Sequence, residues 1–450
     1  MGRLFGTDGA RGVAITELTC ETAMQIGRAA ATVLTKHTDH KAKILVGKDT
    51  RISSDVLESA LAAGICSVGA DVEILGVVPT PAVAYLVTKY NADAGVMISA
   101  SHNTVEYNGI KLFSKDGFKL PDEIENEIEA LILDEPEKLD LKSGIEIGRI
   151  RRSETAVRDY IEHIKSTIGG DLSGVRFGVD CANGSSSETA ELLFGELGAE
   201  CVFINNKYDG TNINDNAGST HIEVLGKFVR ENGLDGGVAF DGDADRCLAV
   251  DENGDIIDGD KMIAILSKSL KEQGKLKNDT AVMTVMTNMG FFDFAKENGI
   301  SVKTTKVGDR YVLEEMLASG YNIGGEQSGH IIFLDHATTG DGQLSAVQLM
   351  EFYKKCNKPM SELGKLMSQY PQVLVNVTVT DEGKKVWKQN SEINAAISSA
   401  EEKLGGSGRV LIRESGTEPL VRVMLEGKDN ELITAEANRI AGLIRERYGR

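Results

Sequence analysis

Three stretches of the chain repeat one alternation of apolar runs and helical periodicity. Each opens on a short apolar run that reads as a strand. A polar turn then leads into an amphipathic helix, a small glycine-containing turn and a second strand. The first stretch covers residues 42–76, with a strand at 44–46, a helix at 53–68, the turn Gly69-Ala70-Asp71 and a strand at 72–75. The second covers 175–205, with a strand at 176–179, a helix at 186–197, the turn Gly198-Ala199-Glu200 and a strand at 201–204. The third covers 281–306, with a strand at 282–285, a helix at 291–297, the turn Asn298-Gly299-Ile300 and a strand at 301–304. Apolar strands separated by helices predict βαβ units with mostly parallel sheets. Copies a hundred-odd residues apart are too widely spaced for a solenoid and predict separate, similar α/β domains.

The last eighty residues follow another pattern. Strands are predicted at 372–379, 409–412 and 420–425, with helices at 391–403 and 430–447, a small α+β arrangement. The predicted fold is therefore three similar α/β domains with mostly parallel mixed sheets plus a smaller C-terminal α+β domain. Boundaries near 150, 254 and 368 give segments 1–150, 151–253, 254–367 and 368–450. A length of 450 residues suggests about three domains, with two or four equally admissible.

Composition narrows the function. Hydrophobic residues at 41% and charged residues at 26% are ordinary for a soluble globular protein. Forty-nine glycines against seven prolines favour tight strand-to-helix turns over disordered linkers. The net charge of −19 argues against a general nucleic-acid binder or an anionic-membrane binder, since both need positive surface. It also means that an anionic substrate would need a local positive cluster or a metal. The six cysteines show no C-x-x-C spacing and read as reduced, mostly buried thiols of a cytoplasmic protein. The first residues lack an apolar signal core, and no apolar run is long enough to cross a bilayer. The opening Met1-Gly2 lacks the Ser or Thr at position 6 expected of a myristoylation signal.

Four polar constellations interrupt the apolar pattern. In Gly95-Val96-Met97-Ile98-Ser99-Ala100-Ser101-His102-Asn103 a strand runs straight into a polar turn, where α/β sheets gather reactive groups. Downstream, Asn108-Gly109-Ile110-Lys111 predicts a flexible turn and a cation nearby. Taken alone, the first segment also fits an ordinary Asn/Ser turn. It lacks the G-x-S-x-G elbow of a triad hydrolase. In Ala239-Phe240-Asp241-Gly242-Asp243-Ala244-Asp245-Arg246 three carboxylates alternate with small residues. Such crowding is costly without a cation and points to a hard metal with oxygen ligands. An EF-hand fails, because Arg246 takes the glycine position and the flanks read as strands. In Gly324-Gly325-Glu326-Gln327-Ser328-Gly329-His330, extended backbone would put Glu326, Ser328 and His330 on one face, able to hydrogen-bond sugar hydroxyls; a surface turn fits equally well. In Arg413-Glu414-Ser415-Gly416-Thr417-Glu418-Pro419, with Arg422 beyond, arginines, hydroxyls and a glycine turn form an anion nest. A weaker fifth signal, Gly6-Thr7-Asp8-Gly9-Ala10-Arg11-Gly12, offers glycines and Arg11 to a phosphate.

In this order and spread, the motifs resemble the α-D-phosphohexomutase family over essentially the whole chain. The Lys306-Val307-Gly308-Asp309-Arg310 stretch and the Gly325–His330 form resemble its branch acting on amino-sugar phosphates. The resemblance implies four domains around a central active-site cleft and interconversion of a sugar 6-phosphate and 1-phosphate, which in that branch feeds UDP-N-acetylglucosamine and cell-wall precursor synthesis. It implies that Ser101 is phosphorylated. It also implies that Asp241, Asp243 and Asp245, with the Ser101 phosphate, hold one Mg²⁺. Glu326 and Ser328 would bind sugar hydroxyls, and Arg413, Ser415, Gly416, Thr417 and Arg422 would grip the distant phosphate. Arg11, His102, Lys111, Arg246 and His330 would line the reaction site. Lys111 or His330 would move the proton, with Lys111 preferred. Glucosamine or glucose 1,6-bisphosphate is the implied activator, and the expected form is a monomer or homodimer. Thr104 stands where the family usually has proline, which predicts a looser loop. Within the family, a phosphomannomutase/phosphoglucomutase is the alternative. Outside its chemistry, a serine metallophosphatase or a non-catalytic metal- or sugar-binding protein would use the same residues.

Overall fold

Fifteen strands of the computed structural model form three sheets on one plan, and three more strands form a fourth; the structure describes residues 3–6, 8–415 and 419–450. The first sheet contains β1 (Ala10–Val13), β2 (Lys43–Lys48), β3 (Asp71–Val77), β4 (Ala94–Ile98), β5 (Tyr107–Ser114) and β6 (Ile150–Arg152), in the order β1-β5-β4-β2-β3-β6. The second contains β7 (Phe177–Asp180), β8 (Val202–Ile204), β9 (Gly236–Phe240), β10 (Cys247–Asp251) and β11 (Ile256–Ile257), in the order β11-β10-β9-β7-β8. The third contains β12 (Thr280–Thr284), β13 (Ser301–Thr305), β14 (Ile323–Gly325) and β15 (Ile331–Phe333), in the order β13-β12-β14-β15.

Each of these sheets holds the same four-strand centre. A first strand lies between two parallel neighbours, and the second neighbour turns back into an antiparallel strand: β3-β2-β4-β5, β8-β7-β9-β10 and β13-β12-β14-β15. The connection into that antiparallel strand carries a polar loop in every case. Residues 99–106 link β4 to β5, residues 241–246 link β9 to β10, and residues 326–330 link β14 to β15. Three of the four constellations thus occupy one equivalent place in three copies of one topology. The central strands are apolar because both faces are covered; β4 and β9 are buried at every position.

The fourth sheet is antiparallel, with β16 (Gln372–Thr378), β17 (Gly408–Glu414) and β18 (Leu420–Gly427) in the order β16-β18-β17. Helices Ser391–Leu404 and Asn430–Tyr448 cover it and share its core of Val377, Val421, Val423, Leu425, Ile433 and Ile440.

The chain divides into two compact units. One comprises residues 1–286 and 299–366, the other 287–298 and 367–450. Helix Met289–Glu297, which the sequence pattern joins to β12 and β13, belongs to the second unit. Within it, Asn288 exchanges hydrogen bonds with the backbone of Tyr370 at 2.9 and 3.0 Å.

Three expectations change. The helix predicted at 186–197 is a 3-10 turn, Ser185–Glu188, followed by a short helix, Ala190–Glu196. Asn108-Gly109-Ile110-Lys111 is not a flexible turn but part of β5. Its backbone pairs with β1 and β4, and the Asn108 amide donates to Ser53 and Ser54 Oγ at 2.9 and 3.0 Å. The cysteines are all free thiols, but only Cys181 and Cys247 are buried; the other four are partly exposed. No helix among the described residues is long and apolar enough to cross a membrane.

Candidate active site

Ser101 stands just past the carboxyl end of β4, almost completely buried, with its backbone in the left-handed region at φ 53°. Its Oγ donates to Asp241 Oδ2 at 2.6 Å and lies 3.3 Å from His102 Nδ1. The loop bearing Asp241 approaches so closely that a Cβ on Gly242 would sit 2.6 Å from the Ser101 carbonyl oxygen. Only glycine permits this contact, so the spacing of the carboxylates at every second residue also serves packing.

Asp241, Asp243 and Asp245 are buried, and each offers a carboxylate oxygen within 4.8 Å of the others. Burial and the Asp243 and Asp245 carboxylates push Asp241 up to about 8. Asp243 Oδ1 and Asp245 Oδ1 are buried without a hydrogen-bond partner among the described residues. Buried carboxylate oxygens are normally satisfied, so these two suit the role of cation ligands. Three close carboxylates fit a hard, oxygen-seeking ion, and this buried triad can hold a metal.

Cations surround the triad. Lys111, on β5 and 1% exposed, donates to Asp243 Oδ2 at 2.6 Å and stands 3.1 Å from Asp8 and 3.8 Å from Asp245. Burial alone would lower its pKa, but Asp243, Asp8 and Asp245 outweigh that and raise it. From Asp8 the pairs continue to Lys119 at 2.7 Å, on to Asp309 at 2.6 Å, and then to His330 Nε2 at 3.6 Å. His330 Nδ1 lies 3.5 Å from Asp245, which closes a ring of alternating acidic and basic side chains. Gly340 N–H donates to His330 Nε2 at 3.0 Å, so the ring carries its proton on Nδ1, facing Asp245. Arg246 Nε is 3.9 Å from Asp245, and Arg11 pairs with Asp8. Burial and the positive charge of Arg246 and Arg11 push His102 down to about 4, leaving it neutral at physiological pH.

The loop at 326–330 does not have the extended form expected. It is a tight hairpin turn, closed by Glu326 N–H donating to the His330 carbonyl at 3.1 Å. Within it His330 is buried, Glu326 is half-buried and Ser328 is exposed. Glu326 Oε1 accepts from Gly308 N–H at 3.0 Å, which ties residues 306–310 to this turn.

In the second unit, Arg413 on β17 and Arg422 on β18 face each other directly across the antiparallel pair. Burial and the charge of Arg422 lower the Arg413 pKa. Two like charges held side by side favour an anion between them. Ser415 is buried next to them, with its N–H donating to the Leu420 carbonyl at 2.9 Å. Gly416 and Thr417 lie outside the described residues.

The sequence matches the phosphoglucomutase/phosphomannomutase family in four consecutive segments. These are α/β/α domain I over residues 2–139, domain II over 158–254, domain III over 258–370 and the C-terminal domain over 374–443. The chain belongs to this family. It is 56% identical to the phosphoglucosamine mutase of Acetivibrio thermocellus over the full length of both chains. It is 57% identical to that of Clostridium novyi over 99% of each. Among solved structures, a phosphoglucomutase/phosphomannomutase family protein of Burkholderia thailandensis superposes with a TM-score of 0.83 at 23% identity, covering 98% of this chain and 97% of that one. An N-acetylphosphoglucosamine mutase of Aspergillus fumigatus, solved with GlcNAc-6P and magnesium, has a TM-score of 0.70 at 17% identity, covering 98% and 95%. At such identities these two structures establish a shared fold.

The sequence reading assigns no role to Asp49, Arg51, Lys119 and Asn214, which pack around these loops, and takes Asp309 only as part of residues 306–310. Asp49 and Arg51 follow the carboxyl end of β2, the parallel neighbour of β4, so the rule that strand ends gather polar function would have reached them. The looser loop expected from Thr104 is not found. Arg51 donates to the carbonyls of Ser101 at 3.1 Å, Asn103 at 2.7 Å and Thr104.

Proposed function

We propose that this chain is a phosphoglucosamine mutase that interconverts glucosamine 6-phosphate and glucosamine 1-phosphate, with Ser101 carrying the phosphoryl group. The observation that carries this reading is the Ser101 hydroxyl, buried and 2.6 Å from a carboxylate of the acidic triad. The sugar assignment rests on relatives 56 and 57% identical over nearly the whole chain, whose names specify glucosamine.

The chemistry is two in-line transfers. In the first, the phosphoserine P–O bond breaks while the sugar 1-hydroxyl forms its own bond to phosphorus, and the proton it gives up is balanced by the one the departing Ser101 Oγ gains. The bisphosphate then presents its other end. In the second, Ser101 Oγ takes the 6-phosphoryl group and the 6-hydroxyl is left free. Such transfers need positioning and charge neutralisation above all. One Mg²⁺ held by Asp241, Asp243 and Asp245 would offset charge on the transferring group.

The chain's own residues supply the rest. Asp241 orients the Ser101 hydroxyl. Lys111, Arg11 and Arg246 bring positive charge to an acidic protein at one place. The ion pairs of Lys111 with Asp243 and Asp8 hold it protonated, so its first role is electrostatic, and accepting a proton would require those pairs to open. His102 is neutral and 3.3 Å from Ser101 Oγ, which suits contact with the serine in either state. Glu326 and Ser328 bind sugar hydroxyls, while Arg413, Ser415, Gly416, Thr417 and Arg422 bind the phosphate that is not reacting. The four segments 1–150, 151–253, 254–367 and 368–450 serve as one enzyme in the cytoplasm, as a monomer or homodimer. A hexose or hexosamine 1,6-bisphosphate loads Ser101.

Turnover of glucosamine 6-phosphate against glucose and mannose 6-phosphates tests the assignment. Glucosamine 6-phosphate is expected to give the highest kcat/KM. Faster turnover of either hexose phosphate would replace the reading with a phosphoglucomutase/phosphomannomutase.

A further inference from the structure

The loop bearing Ser101 is gripped from two sides by residues outside it. Arg51 is 1% exposed, and its guanidinium donates to three acceptors of one loop, the carbonyls of Ser101, Asn103 and Thr104. Its Nε donates to Asp49 Oδ2 at 2.8 Å, which balances the buried charge. Asp49 is also the hub of a second path. It accepts from Ser99 Oγ at 2.6 Å, and Ser99 Oγ accepts from the Ser101 N–H at 3.0 Å. The peptide groups on both sides of the Ser101 α-carbon are thereby tied to one Asp–Arg pair. From the second sheet's segment, Asn214 Nδ2 donates to the Ser101 and Asn103 carbonyls at 2.9 Å each.

The hold has a physical reason. A serine at positive φ is strained and keeps that conformation only where its surroundings enforce it. Thr104 leaves the backbone before it unrestricted, as a proline there would not. Five donors in a rigid plane can span three carbonyls, whereas an ammonium cannot.

We propose that Arg51 and Asn214 are positioning residues, which fix Ser101 in the one backbone orientation from which its Oγ reaches both the Asp241 carboxylate and the substrate. The proposal rests on the mutase reading. Neither residue touches the reacting atoms, so the effect should fall on the chemical step and not on substrate affinity.

The test is steady-state kinetics on glucosamine 6-phosphate together with ³¹P NMR of the Ser101-phosphorylated protein, for wild type, Arg51→Lys and Asn214→Ala. Each variant is expected to lose kcat by on the order of tenfold to a hundredfold with KM held within about twofold, because a small misplacement acts on transition-state geometry. The phosphoserine resonance is expected to shift or broaden in both variants while the melting temperature of Asn214→Ala stays near that of wild type. Unchanged kcat with an unmoved resonance in Asn214→Ala would overturn the proposal, as would a loss confined to KM. Arg51→Lys keeps the buried charge; if it nevertheless fails to fold, Asn214→Ala decides alone. A wild type inactive on every hexose and hexosamine phosphate would instead sink the mutase reading.

Discussion

Ser101 Oγ donates a 2.6 Å hydrogen bond to Asp241 Oδ2, across 140 residues of sequence. The acceptor belongs to a carboxylate that burial and two neighbouring carboxylates push up to about 8. The proposed nucleophile and the acidic triad therefore share one site, whose three close carboxylates are electrostatically incomplete without a cation.

That incompleteness predicts metal-dependent stability. Adding Mg²⁺ to EDTA-treated wild type should raise the melting temperature, since a ligand at a hundred times its Kd stabilises by about 2.7 kcal/mol. Asp243→Asn should remove most of this shift and lower kcat by about a hundredfold or more. Differential scanning calorimetry with and without Mg²⁺ checks it; an equal shift in the variant would contradict a metal at the triad.

Lys111 sits between two halves of the charge ring, at 2.6 Å from Asp243 and 3.1 Å from Asp8. Lys111→Met should cost on the order of a thousandfold in kcat/KM, the scale of removing a fixed charge beside a transferring group. It should also destabilise the protein, because Asp8 and Asp243 lose their shared cation. A variant within tenfold of wild-type kcat/KM would show that the charge is dispensable.

The Arg413 and Arg422 pair predicts anion binding in the second unit. Arg422→Ala should raise KM for the sugar phosphate by roughly tenfold or more, the worth of a charge-assisted bidentate contact. Inorganic phosphate should protect the wild-type residues around β17 and β18 from hydrogen exchange more than those of the variant. Equal protection in both would remove these arginines from substrate binding.

His102 should titrate near 4, well below the ordinary histidine range. Its folded-state pKa is lowered, so the unfolded chain binds the proton first as pH falls. Stability from this group is then complete above pH about 6.5 and is lost on acidification toward 4. NMR of the His102 ring should show no titration between pH 8 and 5.5. A midpoint near 6.5 would contradict the electrostatics described.

The sequence made the loops legible because each is bounded by an apolar strand. The strands flanking residues 241–246 were readable on both sides, and the antiparallel pair Phe240↔Cys247 follows. What the sequence could not supply is partnership at long range. No motif singles out Lys119, yet it binds Asp8 and Asp309, which are 111 and 190 residues away. Asn108-Gly109 was misread for the opposite reason. The dipeptide is a strong turn signal, but pairing of β5 on both edges and the buried Ser53 and Ser54 hydroxyls override it. Glu326, Ser328 and His330 were assigned to one face by an extended-chain rule that a hairpin turn does not obey.

The most direct test is mass spectrometry with peptide mapping, after incubation of the purified protein with glucose 1,6-bisphosphate. One phosphoryl group on Ser101 is expected, absent in Ser101→Ala, and discharged to sugar when glucosamine 6-phosphate is added. A phosphoryl group mapped to any other residue, or none at all in a protein that still turns over substrate, would contradict the account.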